Sequence, residues 1–408
     1  MFRKKKKLRK FQLTYDRLVR LTQNSYRRYD LDQALDYCYQ GLNLAKKVGN
    51  KQCIVKSLQT LGWLYDKKGD SNKALAHYYQ CLELVKIINN KQDMANILYR
   101  IGRIHNQEGN WEQALKHCNQ SLKLDMEIGT RHELAMSLNE IGLAYRQMGN
   151  WEQALKYTFK CLELAKDFKK KGDIALSLHV IGDIYRQKGD WEKALKYHQQ
   201  SLEQFEAIGN KQEISIILDD IGYLYYQIGD WEKALEYCHK CLEVAKEIGY
   251  KQQITKSLNN IGFIYDLKGF WQQALEYYQK SLEIAEEIGD VHNISDNLFK
   301  LILSAISTNC PDKQTRQHLE RLKKINEQVN DKTISQCYRL AVALLLKSSP
   351  EITERVKAQK IFQQVAAEEV VRIELTFLSK MNQCALLLDE LKFYDDNEVL
   401  EQVMELLT

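Results

Sequence analysis

Gly62, Gly102, Gly142, Gly182, Gly222 and Gly262 stand forty residues apart without a gap, and so do Gly69, Gly109, Gly149, Gly189, Gly229 and Gly269. Trp111, Trp151, Trp191, Trp231 and Trp271 keep the same interval, with Ser71 in their place one block earlier. Ala34, Ala74, Ala114, Ala154, Ala194, Ala234 and Ala274 form another column, and Tyr65, Tyr145, Tyr185, Tyr225 and Tyr265 a further one, interrupted by His105. Self-similarity at one fixed period marks a repeat array, in which each unit packs on its neighbours and added length needs no larger core. The 408 residues therefore read as one array, where length alone would suggest two or three globular domains.

Each block reads as two helices. Ile254, Leu258, Ile261, Gly262 and Tyr265 recur at three- and four-residue spacing. The run ends at Gly269, suited to a left-handed cap. Asn110, Asn150, Asp190 and Asp230 precede the second helix and can accept its free N–H groups. Glu112, Glu152, Glu192 and Glu232 follow in its first turn, where a carboxylate suits the macrodipole. Ala274, Tyr278, Leu282 and Ala285 continue the apolar stripe. A glycine inside a helix costs about 1 kcal/mol relative to alanine, so its recurrence demands an offset. The expected one is close approach of the two helices, with Gly262 facing Ala274 and nothing bulky between them. Pro311 and Pro350 are the two prolines, as long uninterrupted helices require.

The succession Leu/Ile–Gly–x–x–Tyr, Gly–Asp/Asn–Trp, Ala, Tyr/Cys and Ser/Cys–Leu resembles the tetratricopeptide repeat. Its period here is similar to the forty-residue variant of kinesin light chains and LGN/Pins-type adaptors; the six residues beyond the usual 34 add about 9 Å of helix. The resemblance covers residues 51–290 strongly and 11–50 more weakly, where Thr22, Ser25 and Tyr29 replace Gly, Tyr and Gly. It implies an all-α fold: a right-handed α-solenoid of antiparallel helix pairs, nine to ten hairpins in all, the first helix of each lining the concave face. Beyond residue 290 the signature fades while the helical period continues through three more pairs, with a break near Asn309–Pro311 and a last helix over 397–407. Ser349 is the expected N-cap of the fourth helix in this stretch and Pro350 its first residue. The chain thus divides into a basic tip (1–10), a divergent first repeat (11–50), six regular repeats (51–290) and degenerate closing pairs (291–408).

The resemblance also places ligand contacts at the second, fifth, ninth and twelfth residues of the repeat unit, all on its first helix. Lys56 stands in the second column, and Gln59, Tyr99, Asn139, His179, Asp219 and Asn259 form the fifth. Trp63, Arg103, Leu143, Asp183, Tyr223 and Phe263 form the ninth; Asp66, Asn106, Arg146, Arg186, Tyr226 and Asp266 form the twelfth. Basic residues (Lys56, Arg100, Arg103, Arg146, Arg186) lead and acidic ones (Asp183, Asp219, Asp220, Asp266) follow, which suggests an extended peptide or helix with acidic and basic ends. Trp63, Tyr99, Tyr223 and Phe263 are expected to be exposed there; the competing reading is of solvated helix faces. Of the family's carboxylate clamp only Asn139 and Asn259 fit, without the lysines.

The expectation is a non-enzymatic protein- or peptide-binding scaffold. A regulator that senses a short signalling peptide would use the same groove. A nucleic-acid- or membrane-associated adaptor would use the basic tip, whose Arg3, Lys4, Lys5, Lys6 and Lys7 are candidates for anionic contact or a solvated terminus. The formal charge is +5, but seven basic residues lie in the first ten; the rest carry 52 basic against 54 acidic groups, so the repeat body has no nucleic-acid footprint. No apolar run is long enough to span a bilayer, and the basic start lacks an apolar signal core. Ten scattered cysteines suggest a reducing, cytoplasmic setting. Cys238 and Cys241 form C-x-x-C, yet both fill columns held elsewhere by Tyr78, Tyr278, Ser201 and Ser281, and no second pair completes a zinc site. No H-E-x-x-H, phosphate loop or G-x-S-x-G elbow occurs, so no catalytic residue, metal or cofactor is expected.

Overall fold

In the computed structural model, residues 2–129, 131–307, 313–368 and 373–391 are described. They form nineteen α-helices and no strand. The first seven are α1 (Phe2–Arg27), α2 (Leu31–Val48), α3 (Lys51–Lys68), α4 (Ser71–Ile87), α5 (Lys91–Gln107), α6 (Trp111–Ile128) and α7 (Arg131–Gln147). Next come α8 (Trp151–Asp167), α9 (Lys171–Gln187), α10 (Trp191–Glu206), α11 (Lys211–Ile228), α12 (Trp231–Glu247) and α13 (Lys251–Leu267). The last are α14 (Trp271–Ile288), α15 (Val291–Ser307), α16 (Lys313–Gln328), α17 (Lys332–Lys347), α18 (Ile352–Ala367) and α19 (Ile373–Leu391). The chain divides into two compact units, Met1–Gln204 and Phe205–Thr408. The expected break at Asn309–Pro311 and the helix over 397–407 lie outside the described residues.

Within each unit, consecutive helices pack as hairpins around a layer of small and branched apolar side chains. Leu61, Leu64, Tyr78, Cys81, Ile97, Ile101 and Ile104 are buried in the first unit, Leu258, Ile261, Tyr278 and Leu282 in the second. Gly269 has φ 78° and donates its N–H to the Asp266 carbonyl at 3.0 Å, ending α13 as the sequence predicts. Tyr29 holds the same left-handed position at φ 60° after α1, so the divergent first repeat closes without glycine.

The helix-interior glycines make room for a side chain. A Cβ on Gly262 would lie 2.8 Å from the Tyr278 ring and 3.3 Å from the Ala274 carbonyl oxygen. Gly62 would meet Tyr78 at 2.7 Å, and Gly182 would meet His198 at 2.9 Å. Close approach is thus confirmed, but the space between is filled: an aromatic ring stands against Gly62, Gly182 and Gly262, and Cys118, Thr158 and Cys238 stand against Gly102, Gly142 and Gly222, where the sequence suggested nothing bulky.

The Ser/Cys column of the second helix has a hydrogen-bonding role. Ser121, Ser201, Cys241 and Ser281 donate to the carbonyls of Ala95, Ala175, Ser215 and Thr255 at 2.8, 2.7, 2.9 and 3.0 Å. Each pins its helix to the backbone 26 residues earlier. Cys241 of the C-x-x-C is therefore a buried tie, and Cys238 packs where a Cβ on Gly222 would stand, 3.1 Å from its sulfur.

Two capping expectations change. Asn150, Asp190 and Asp230 accept the N–H groups of Gln153, Lys193 and Lys233 at 3.1–3.2 Å, whereas Asn110 turns away and donates to Glu108 at 3.4 Å. At α18, Pro350 lies before the helix and Glu351 is the N-cap; Ser349 Oγ accepts the Glu351 N–H at 3.3 Å. The two-residue shift follows from that turn, which satisfies the serine before the helix begins.

Candidate functional site

The proposed contact columns lie on the odd-numbered helices, and many of their side chains bind the neighbouring repeat. Arg103 of α5 pairs with Asp66 of α3. Asn106 donates to both the side chain and the carbonyl of Glu140 on α7, at 2.8 and 2.9 Å. Arg146 reaches Asp183 of α9 at 3.4 Å, and Arg186 reaches the same carboxylate at 3.1 Å. In the second unit Asp219 accepts from Lys256 and Asn260, both at 2.8 Å; burial pushes its carboxyl above the usual range. Asp266 accepts from Ser304 at 3.4 Å, and Tyr226 meets Phe263 edge-on at 5.5 Å. Gln59 donates to Asp93 at 3.2 Å, and Trp63 lies against Tyr26 of α1 at 4.3 Å.

These contacts alter the reading of the columns. The basic-to-acidic sequence along the helices consists largely of ion pairs between repeats. Of the four aromatics expected to be exposed, Tyr223 is, while Trp63, Tyr99 and Phe263 are half-buried. Asn259 is buried, His179 packs half-buried against His198 at 5.2 Å, and Lys56 and Asn139 face water.

One group converges. Tyr99 of α5, Met136 and Asn139 of α7, and Leu176 and Val180 of α9 line a cleft of about 350 Å³, bordered by Phe168, Lys170 and Asp173 at the α8–α9 turn. Met136, Phe168 and Leu176 are 36%, 40% and 46% exposed. Tyr99 and Asn139 are fifth-column residues expected from the sequence; Met136 and Leu176 are second-column residues that were not singled out. The signal was present: the second column reads Lys56, Asn96, Met136, Leu176, Ile216 and Lys256, apolar in its middle.

The basic tip continues into α1. Arg3, Lys4, Lys5, Lys6 and Lys7 lie in its first turns. Phe11, Tyr15, Thr22 and Ser25 are buried on one face of the helix. Arg9, Leu13, Arg17, Arg20 and Arg27 fall on the opposite face and are exposed. Those four arginines have no acidic partner among the described residues. α1 holds ten basic residues and one acidic, which leaves 49 basic against 53 acidic for the remainder.

Fold and site together define a helical-repeat protein that presents the side chains of successive first helices. Residues 25–87, 93–167, 173–247 and 213–287 match the profile of the tetratricopeptide repeat, and the chain belongs to that family. Similar solved structures include a signal transduction ATPase with numerous domains (STAND) and a tetratricopeptide repeat sensor, from Pyrococcus horikoshii. It is 18% identical with a TM-score of 0.64; the match covers 91% of this chain and 55% of that one, so the chain spans about half its length. The apo quorum sensor NprR from B. thuringiensis is 16% identical, TM-score 0.60, with 90% and 100% covered. Aspartyl phosphate phosphatase F from Bacillus subtilis is 16% identical, TM-score 0.54, with 87% and 92% covered. At such identities the likeness is one of fold. No curated protein matches the chain by sequence. No described helix is long and apolar enough to cross a membrane.

Proposed function

We propose that the chain is a non-enzymatic scaffold that binds a protein segment on the first helices of its N-terminal unit, centred on the cleft between α5, α7 and α9. The observation that carries this is the convergence of second- and fifth-column side chains from three successive repeats on one largely apolar cleft. Exposed apolar groups gathered in a concavity with a few polar neighbours suit ligand binding. Lys56, Gln59, Arg103, Arg146 and Asp183, on the first helices α3 to α9, are offered as secondary contacts; in the second unit Tyr223 is an exposed aromatic. The reading extends to a sensor of short peptides, supported by the fold shared with proteins described as sensors. A cytoplasmic setting belongs to the same proposal, supported by nine buried free thiols.

The test places a photo-crosslinking residue at position 136 or 176 and, as control, at Glu112, then maps the crosslinked partner by mass spectrometry. The reading expects capture from 136 and 176 only, lost in Met136→Asp with Leu176→Asp. A partner held equally by that double variant overturns it.

A second reading, nucleic-acid contact through α1, is favoured by the exposed arginine row. Guanidinium groups suit phosphate, and Leu13 alone on that face offers little to insert into a bilayer. Arg17→Ala, Arg20→Ala and Arg27→Ala together should weaken duplex binding and flatten its salt dependence. An unchanged mobility shift removes this reading.

A further inference from the structure

The largest local departure from the repeat borders the cleft. Between a second helix and the next first helix the pattern is Ile–Gly–Asn/Asp, as at Ile208–Gly209–Asn210 and Ile288–Gly289–Asp290, and four further turns depart from it at one position each; between α8 and α9 the chain reads Phe168–Lys169–Lys170. Of the seven such turns from residue 48 to 290, this one differs at all three positions. Lys169 sits at φ 52°, where glycine is at ease and a lysine is strained. Asn89 holds that position at the same angle, but asparagine tolerates it. Asn50, Asn90 and Asn210 each accept an N–H of the following helix; Lys170 stands in their place, and α9 opens with no side-chain cap. The turn thus gives up two stabilising features and gains two lysines. Such local losses are expected where a site needs the residues for something other than folding.

What the lysines border is specific. Lys169, Lys170 and Lys171 are all exposed. Lys170 lies 5.8 Å from the Phe168 ring centre and makes a loose pair, 3.7 Å, with Asp173. With Lys166, the turn carries four positive charges against Asp167 and Asp173. The same cleft is lined by Met136 and Leu176 and by Asn139, whose amide is exposed.

We propose that the cleft takes a peptide whose apolar side chain seats between Met136, Phe168 and Leu176 and whose adjoining Asp or Glu is held by the Lys169–Lys171 turn. This rests on the scaffold reading and adds the chemistry of its ligand. A fatty acid shares the apolar-plus-carboxylate chemistry, but the exposed amide of Asn139 suits a peptide backbone and has no use for an alkyl chain. The acid adds association rate and specificity, and the apolar anchor supplies most of the affinity.

The test uses the whole chain and a displayed library of random seven-residue peptides. The selected peptides should combine a Leu, Ile, Met or Phe with a neighbouring Asp or Glu. The variant Lys169→Gly with Lys170→Asn restores the repeat's own turn, so it should fold and melt higher than wild type. It should bind the selected peptides about tenfold more weakly by fluorescence polarisation, with a smaller salt dependence. Selected peptides without acidic residues, or unchanged affinity in that variant while Met136→Asp abolishes binding, would overturn the acid-binding turn and leave the scaffold reading standing. Failure to select any peptide, or binding unaffected by Met136→Asp and Leu176→Asp, sinks both. Binding of oleate with no selected peptide assigns the cleft to lipid and overturns the proposal.

Discussion

Arg103 and Asp66 are paired across one repeat boundary, and thirty-seven residues separate them in the chain. The same boundary position between α7 and α9 carries the pair with its charges exchanged, Arg146 on the earlier helix and Asp183 on the later. Between α11 and α13 it carries Tyr226 and Phe263. Arg103→Asp should therefore lower stability by about 1–3 kcal/mol, since it sets two acids together at a largely buried contact. Adding Asp66→Arg should recover most of that. Urea denaturation of the four proteins in the cycle measures it; a double variant no better than the sum of the singles would show that the pair contributes nothing.

Three glycines should respond in three ways to alanine. Gly262→Ala forces a methyl against the Tyr278 ring at 2.8 Å and should cost about 1–3 kcal/mol. Gly249, at φ 67° with open space around it, should lose about 1 kcal/mol through backbone strain alone. Gly172, inside α9 with no neighbour within 4 Å, should gain about 0.5 kcal/mol or somewhat more. Thermal melts of the three variants give the order directly; a destabilised Gly172→Ala would contradict the account.

Acid should loosen the first unit through a stacked histidine pair. The rings of His105 and His117 lie 5.7 Å apart at 13°, with the Tyr79 hydroxyl 3.3 Å from Nε2 of each. Burial lowers both imidazoles; His117 is brought down to about 4, with neighbouring His105 and Lys116 adding to the effect. Glu108 opposes this weakly from 3.9 Å of His105. In the unfolded chain a histidine titrates near 6.5, so the unfolded state takes up the proton first. The contribution is whole above about pH 6.5, falls as pH drops and levels off below about 4, on the order of 3 kcal/mol for His117. Urea midpoints of wild type and His117→Gln should converge between pH 7 and 4.5. Parallel curves would remove the histidine from the account.

The nine described cysteines should resist alkylation in the native protein. All are buried, and burial pushes the thiols of Cys38, Cys81 and Cys161 up to about 12 and that of Cys241 to about 11. Iodoacetamide at pH 8 should label them only after urea, as read site by site in a mass spectrum. Rapid native labelling of Cys238 or Cys241 would revive a reactive role for that pair.

The framework columns were legible because each answers a backbone demand that recurs: Gly269 closes a helix, Gly262 admits a ring, Asp230 caps. Their partners were harder to read. That Tyr278 rests on Gly262, or that Ser281 donates to the carbonyl of Thr255, depends on the rotation of one helix against another, which a single column does not state. Pro350 was misplaced because a Ser-Pro pair fits a helix start and a preceding turn equally well. For the cleft, Tyr99 and Asn139 were reachable; Arg103 and Arg146 also pair with acids of neighbouring repeats, a role that variation alone does not separate from ligand contact. Met136 and Leu176 were passed over because apolar residues on an amphipathic helix read first as core.

The changing boundary pairs also bear on how such a gene persists. Blocks this alike invite unequal recombination, which adds or deletes whole repeats in frame. Loss of one block after α3 would leave Asp66 facing Leu143 in place of Arg103, a buried acid against an aliphatic side chain. Three junctions therefore carry three different matched pairs, Asp66–Arg103, Arg146–Asp183 and Tyr226–Phe263, and a deletion that joins the wrong halves should be penalised at the protein level even though every remaining repeat is intact.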